Sequence, residues 1–308
     1  MYRNWLIIVL GLTLDNSAYA IGLSSTTQYS QPLQTETLTA LGDFGGSKDQ
    51  DSPYYWSLTY GIEKSILANS GAPDIVDQTY DYGAAIGWMG DSDWGLNLSL
   101  DYSNTPSEQL VARGAKLAAL YRYEYGPILQ GYSTYWSFRL IGGATNFVGS
   151  FNGQEPRKNS KKTKPVSGIT ELRQTQMGVD IGWKFSRTLK VDFEVDHFNY
   201  NRDVGAFENQ LDSPLGLQMG QNGFTSTVGG LARVTYSPSL FWDFKASWRL
   251  TLTEQYSLLA ADDSVSTATR LTISKQINNT WKVTLGANHL SSEIMTDTLA
   301  LLGIDCEL

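Results

Sequence analysis

Residues 94–102 read Trp-Gly-Leu-Asn-Leu-Ser-Leu-Asp-Tyr. In an extended chain Trp94, Leu96, Leu98, Leu100 and Tyr102 fall on one face, and Gly95, Asn97, Ser99 and Asp101 on the other, the period of two that marks a β-strand. The same alternation recurs along most of the chain beyond residue 54, and an aromatic residue marks one particular end of most repeats. A sheet in water has no reason to sort Trp and Tyr by strand end. A sheet standing in a bilayer does, because an amphipathic ring is favoured at the headgroup level.

The bulk composition agrees with that reading. The 308 residues are 41% hydrophobic, 12% aromatic and 18% charged, with a formal net charge of −8. No run approaches the roughly 18–20 apolar residues of a membrane-spanning helix. A membrane barrel needs no such run, since its lipid and lumen faces alternate and average out. The first twenty residues read as a secretory signal peptide, with Arg3 as the positive end, Trp5 to Leu14 as the apolar core and Ala18-Tyr19-Ala20 as the cleavage site. The mature chain is then expected to begin near Ile21. A single cysteine, Cys306, allows no internal disulfide. The acidic balance gives no reason to expect nucleic acid, and no spacing suggests a metal or cofactor.

About twelve strand-like segments can be laid out from residue 54 onward, many of them longer than the five or six residues usual in soluble sheets. Their connections alternate. Residues 90–93, 186–187, 237–239 and 278–279 read as tight polar turns, while longer loops fall near 65–77, 146–169, 201–222 and 255–264. Trp56, Trp88, Trp94, Trp136, Trp183, Trp242 and Trp281 all fall near the short-turn end, and only Trp248 reads as lying further up. They predict a girdle at one membrane interface, on the periplasmic side where barrel turns are short. Phe244, Ala246, Trp248, Leu250 and Leu252 read as one lipid-facing row, and Val283, Leu285 and Ala287 as another.

The chain ends Gly303-Ile304-Asp305-Cys306-Glu307-Leu308, with Ala300, Leu302, Ile304, Cys306 and Leu308 on one face. This resembles the C-terminal assembly signal of bacterial outer-membrane barrels, departing from it in closing on Leu rather than an aromatic residue. Over residues 54–308 the chain resembles the bacterial outer-membrane β-barrel class, which includes the porins. The resemblance implies an all-β, antiparallel up-and-down barrel in the outer membrane, with lipid and lipopolysaccharide as its surroundings.

The parity opposite to the lipid face carries the charge. Arg139, Arg233, Lys245, Arg249 and Arg270 read as lumen-lining cations, with Asp192 and Glu194 facing them. One reading makes these two walls the selective lining of a narrow channel for small polar or charged solutes. The other lets the same charges pair and fill the interior, leaving a closed barrel that serves as an anchor or receptor for a protein partner. Residues 21–53 precede the first convincing strand. They read as a periplasmic tail that could bind a partner, as a lumen plug making contact through Leu38, Leu41 and Phe44, or as an extra strand. The run Arg157 to Lys164 is a solvated loop or a contact for lipopolysaccharide phosphates. A third reading is enzymatic: His289 and Ser291 share one strand face and resemble the His-x-Ser arrangement of outer-membrane lipid hydrolases, with Ser291 as nucleophile and His289 as base.

Overall fold

The computed structural model describes residues 21–30, 33–43, 53–67, 75–90, 93–106, 109–129, 132–156, 163–208, 226–227, 230–244, 247–293 and 296–307. Residues 1–20, expected to be a signal peptide, Phe44, Lys245 and residues 157–162 of the basic run lie outside them.

Fourteen strands close into one antiparallel ring. The first nine are β1 (Ile21–Tyr29), β2 (Leu33–Asp43), β3 (Tyr54–Leu67), β4 (Ile75–Met89), β5 (Trp94–Thr105), β6 (Leu110–Leu129), β7 (Tyr132–Pro156), β8 (Thr163–Lys184) and β9 (Leu189–Tyr200). A short helix α1 (Val204–Glu208) and a two-residue strand β10 (Ser226–Thr227) follow. The ring continues through β11 (Gly230–Asp243), β12 (Trp248–Leu259), β13 (Val265–Gln276), β14 (Trp281–Ser291) and β15 (Thr296–Glu307). Each ring strand pairs with its neighbour in sequence order. β9 pairs with β11 from Val234↔His197 to Trp242↔Leu189, and β15 pairs with β1 from Gly22↔Glu307 to Tyr29↔Ala300.

The strand count corrects the expected twelve, and the two additional strands come from the N-terminal segment. Residues 21–43 are neither tail nor plug: β1 and β2 are wall strands between β15 and β3. Leu38 points outward beside Tyr60, and Leu41 points inward at the turn end. The alternation that exposes the other strands is nearly absent here. The outward face of β1 is Leu23, Ser25, Thr27 and Tyr29, and that of β2 carries Gln34 and Glu36. Their place is fixed by backbone ladders on both sides rather than by an apolar stripe.

A second correction concerns Ser237-Pro238-Ser239. These residues lie inside β11, with Pro238 opposite Phe193, and the connection falls instead at 244–247. Phe244 N–H donates to the Trp248 carbonyl across it (3.2 Å). Trp248 therefore starts β12 and joins the other tryptophans at the turn end, with Phe244 between it and Trp242 at ring distances of 6.2 and 5.2 Å. Phe244 is thereby a turn residue rather than part of a mid-strand row. At the other end, β7 and β8 continue the ladder as far as Pro156↔Thr163, where the sequence suggested a loop.

The outer face is an apolar belt. Leu58, Ile86, Leu100, Leu140 and Leu285 each expose about half their surface or more. Below the belt the turn-end aromatics stack: Trp136 on Trp183 at 4.9 Å and 2°, and Trp94 against Tyr121 at 4.6 Å. Leu285, outward and between the Trp281 and His289 levels, tests this face. Leu285→Arg is expected to destabilise the barrel in lipid vesicles by about 2–4 kcal/mol, read by denaturant titration; an unchanged midpoint would place this face away from hydrocarbon.

Candidate functional site in the barrel interior

Inward side chains divide the interior into two halves. Towards the loop end they are buried on strand after strand. Gln28, Thr79, Ser103, Phe147, Leu172, Ser257 and Asn288 expose 2% or less of their surface. Two apolar clusters lie there. In the first, α1 turns the chain inward, with Ala206 N–H capped by Asp203 (3.0 Å). Phe207 and Val204 then pack on Leu110, Ala112, Phe147, Leu172 and Leu231. The second joins Leu33, Leu290 and Leu299. Towards the turn end the inward residues are part-exposed. A cavity of about 680 Å³ opens there against Asp243, Arg249, Ser274, Gln276 and Lys282.

Between these halves runs a polar band. Arg139 stands opposite Asp180 in the β7–β8 register, and Asp180 opposite Glu194 in the β8–β9 register. One guanidinium nitrogen therefore reaches both acids, at 2.9 Å to Glu194 and 3.0 Å to Asp180. Gln176 donates to Asp196 (2.7 Å), and Lys190 pairs with Asp192 at 2.7 Å. Gly178 and Gly182 make room for this packing: a Cβ at either would come within 2.4 Å of the Asp196 or Asp192 carboxylate. Further round the ring, Glu63 on β3, Asp81 on β4 and Asp101 on β5 also face inward, Glu63 and Asp101 being buried. These three and Phe207 were not among the residues expected from the sequence to line the lumen. Strand parity alone would have placed the acids inward; nothing local marked Phe207.

The predicted cations among the described residues, Arg139, Arg233, Arg249 and Arg270, are inward or at the rim, yet most are neutralised by near neighbours rather than facing an acidic wall across the lumen. Arg249 holds Asp243, its register partner, through two contacts of 2.6 and 3.1 Å. Lys282 holds Asp305 at 2.6 Å, and Ser24 donates to that same carboxylate. Arg233 sits at a bulge between Ala232 and Val234, which sends its side chain to the loop-end rim. There it pairs with Asp263 (2.7 Å). In the same loop the Ser264 backbone N–H, donating to Asp262 (3.0 Å), holds the Asp262 carboxyl below the usual carboxylate range. Arg270 differs. It faces inward on β13 and meets no carboxylate among the described residues.

His289 and Ser291 share an outward face but are not brought together as base and nucleophile. The imidazole Nδ1 bonds Thr298 (2.8 Å), and the Ser291 hydroxyl lies 3.4 Å from that of Thr296, each partner lying directly across on β15. Among the described residues no group of three His, Cys, Asp or Glu side chains is arranged to hold a metal ion.

No protein-family model and no curated protein matches this chain. Solved structures similar to it include the KdgM porin (9% identity, TM-score 0.42, covering 93% of this chain and 99% of the porin). Others are the CymD monoaromatic hydrocarbon channel (11%, 0.49, 94% and 88%) and the Pseudomonas putida toluene transporter TodX (9%, 0.46, 94% and 88%). The likeness is one of barrel architecture alone.

Arg139 is the most heavily connected inward cation. Arg139→Ala leaves Asp180 and Glu194 facing each other, and the expected cost is about 1–3 kcal/mol, reduced from that of a fully buried pair because the arginine is two-fifths exposed. Denaturant titration of variant and wild type reads it. Arg139→Ala combined with Glu194→Gln should recover part of the loss.

Proposed function

We propose that this chain is an outer-membrane channel for small polar or charged solutes, with its turn end in the periplasm and its loops outside. The observation that carries the reading is the size of the ring against the size of the side chains lining it. Fourteen strands about 4.8 Å apart, tilted by roughly 40°, give a backbone radius of about 14 Å. Eight-stranded barrels can be filled by their own side chains; a ring of this radius needs large ones to fill it. At mid-height much of its lining is small, with Thr39, Thr59, Gly83, Ser99, Gly143, Thr253 and Gly286 on the inward face among a few longer side chains such as Lys116, Gln176 and Arg270. Such a wall leaves water-filled space, which the cavity at the turn end continues.

The lining residues in this reading are Arg139, Arg249 and Arg270, with Asp192 and Glu194 of the paired band. The turn-end tryptophans form the periplasmic girdle, the first twenty residues are the export signal, and the basic run Arg157 to Lys164 meets lipopolysaccharide. The burial of the loop-end half favours a second reading, a closed barrel whose loops bind a partner protein.

Conductance of the purified barrel in a planar bilayer decides between them. Discrete current steps are expected in wild type. Phe207→Ala, which removes the aromatic wedge from the loop-end cluster, is expected to raise step size or frequency. Replacing Arg139 and Arg249 by alanine is expected to shift ion selectivity towards cations. Silence in wild type and in Phe207→Ala would remove the channel reading and leave the closed anchor.

A further inference from the structure

We propose that the lumen wall of β12, β13, β14 and β1 holds a binding site for a small hydroxylated carboxylate, centred on Arg270; the proposal deepens the channel reading and rests on it. Four inward side chains form one row. Thr253 stands opposite Arg270 in the β12–β13 register, and Arg270 stands opposite Asn288 in the β13–β14 register. Asn288 reaches across β15 to Gln28, its amide nitrogen donating to the Gln28 side-chain oxygen at 3.2 Å. Directly opposed side chains of neighbouring strands stand about 5 Å apart, which joins Thr253, Arg270 and Asn288, and the amide hydrogen bond carries the row to Gln28 past the inward Leu299 and Leu301 of β15.

The cation of this row stands apart from the paired ones. Arg139, Arg249 and Lys282 each touch a carboxylate on a neighbouring strand, and Arg233 touches one in a loop. Arg270 touches none among the described residues, although a guanidinium taken from water demands a counter-charge. Seven strands away round the ring stands β5 with Asp101, too far across a barrel of this radius to pair directly.

The amides beside Arg270 are also incompletely used. Gln28 exposes 0% of its surface and Asn288 1%, and after their mutual bond the Gln28 Nε2 and the Asn288 Oδ1 have no partner among the described residues. Rotating both amides by half a turn exchanges the roles but still leaves one N–H donor and one carbonyl acceptor over. The unspent groups are therefore a guanidinium, an amide donor and an amide acceptor in one row. A carboxylate matches the guanidinium and the donor, and a hydroxyl on the adjacent carbon matches the acceptor. Chloride or sulfate, which have no O–H to donate, would leave the acceptor unmet.

Access follows from the strand. Gln276 and Ser274 line the turn-end cavity, and Thr272 and Arg270 continue the same inward face of β13. Ser274 and Arg270 are four residues apart, about 13 Å along the strand. Arg270 and Thr272 are part-exposed whereas Asn288 and Gln28 are buried, so the site sits where the open half of the interior meets the sealed half.

The test is calorimetric titration of potassium gluconate into the full-length, detergent-solubilised barrel, with sorbitol and potassium chloride as controls. Binding of gluconate without binding of sorbitol or chloride is expected. Arg270→Gln should weaken it by roughly tenfold or more, while Arg233→Gln, altering a loop-end rim cation already paired with Asp263, should leave it within about twofold. Arg270→Lys, which keeps the charge, should retain part of the affinity and guards against a folding defect; retained heat-modifiable gel mobility checks folding of each variant. Equal gluconate binding in wild type and Arg270→Gln, no binding in wild type, or equal binding of sorbitol or chloride would each overturn the site. The titration needs no current. Arg270-dependent binding by an electrically silent barrel would keep the site and remove the channel, and a conducting barrel indifferent to Arg270 would do the reverse.

Discussion

Ring closure is the constraint on which the rest of this structure depends. A backbone that meets hydrocarbon has no water to satisfy its N–H and C=O groups, so an open sheet edge there costs several kcal/mol for each group left over. The ladder between β1 and β15, eight registered pairs from Gly22↔Glu307 to Tyr29↔Ala300, removes the last such edge. It accounts for the incorporation of residues 21–43, whose side chains alone give little reason to stand in a wall. It also brings both ends of the ring to one side, since β1 begins and β15 finishes at the turn end.

Closure at fourteen strands sets the interior problem. A ring this wide cannot be packed solid by Thr, Ser and Gly, and the loop-end half is sealed instead by larger groups at few points. Phe207 on α1 and Leu33, Leu290 and Leu299 supply apolar bulk there. Charges in the lower dielectric of the wall pair with the nearest opposite charge, because attraction falls with distance and desolvation does not. Antiparallel register decides what is nearest: Arg139 with Asp180, Arg249 with Asp243 and Lys282 with Asp305 are all directly opposed. The result is a banded interior of short-range pairs rather than two walls of opposite sign. Arg270 departs from that rule, its register partners being Thr253 and Asn288, as does Lys116 between Ser99 and Gly143.

Alternation made β5, β14 and β15 legible, down to which side chain faces which way, because a period of two is imposed by the strand itself. It failed for β1 and β2, whose outward Ser25, Thr27, Gln34 and Glu36 hide the pattern. It also misplaced a turn at Ser237-Pro238-Ser239, where composition suggested a break and the ladders to β9 and β12 hold a strand. Of the candidate site, inward parity of Arg139, Arg249, Arg270, Asp192 and Glu194 was readable. Their partners were not.

The sequence by itself determined that the chain is a barrel with an apolar outside, an aromatic turn end and a polar inside, since those properties follow from local alternation and from the chemistry of each face. Only the tertiary structure decided how many strands close the ring, which charges neutralise one another and that Arg270, Asn288 and Gln28 share a row. Each of these depends on register between segments far apart in the chain, and Gln28 meets Asn288 across 260 residues of sequence. Such pairings are set by the closure of the whole ring, which no single strand encodes.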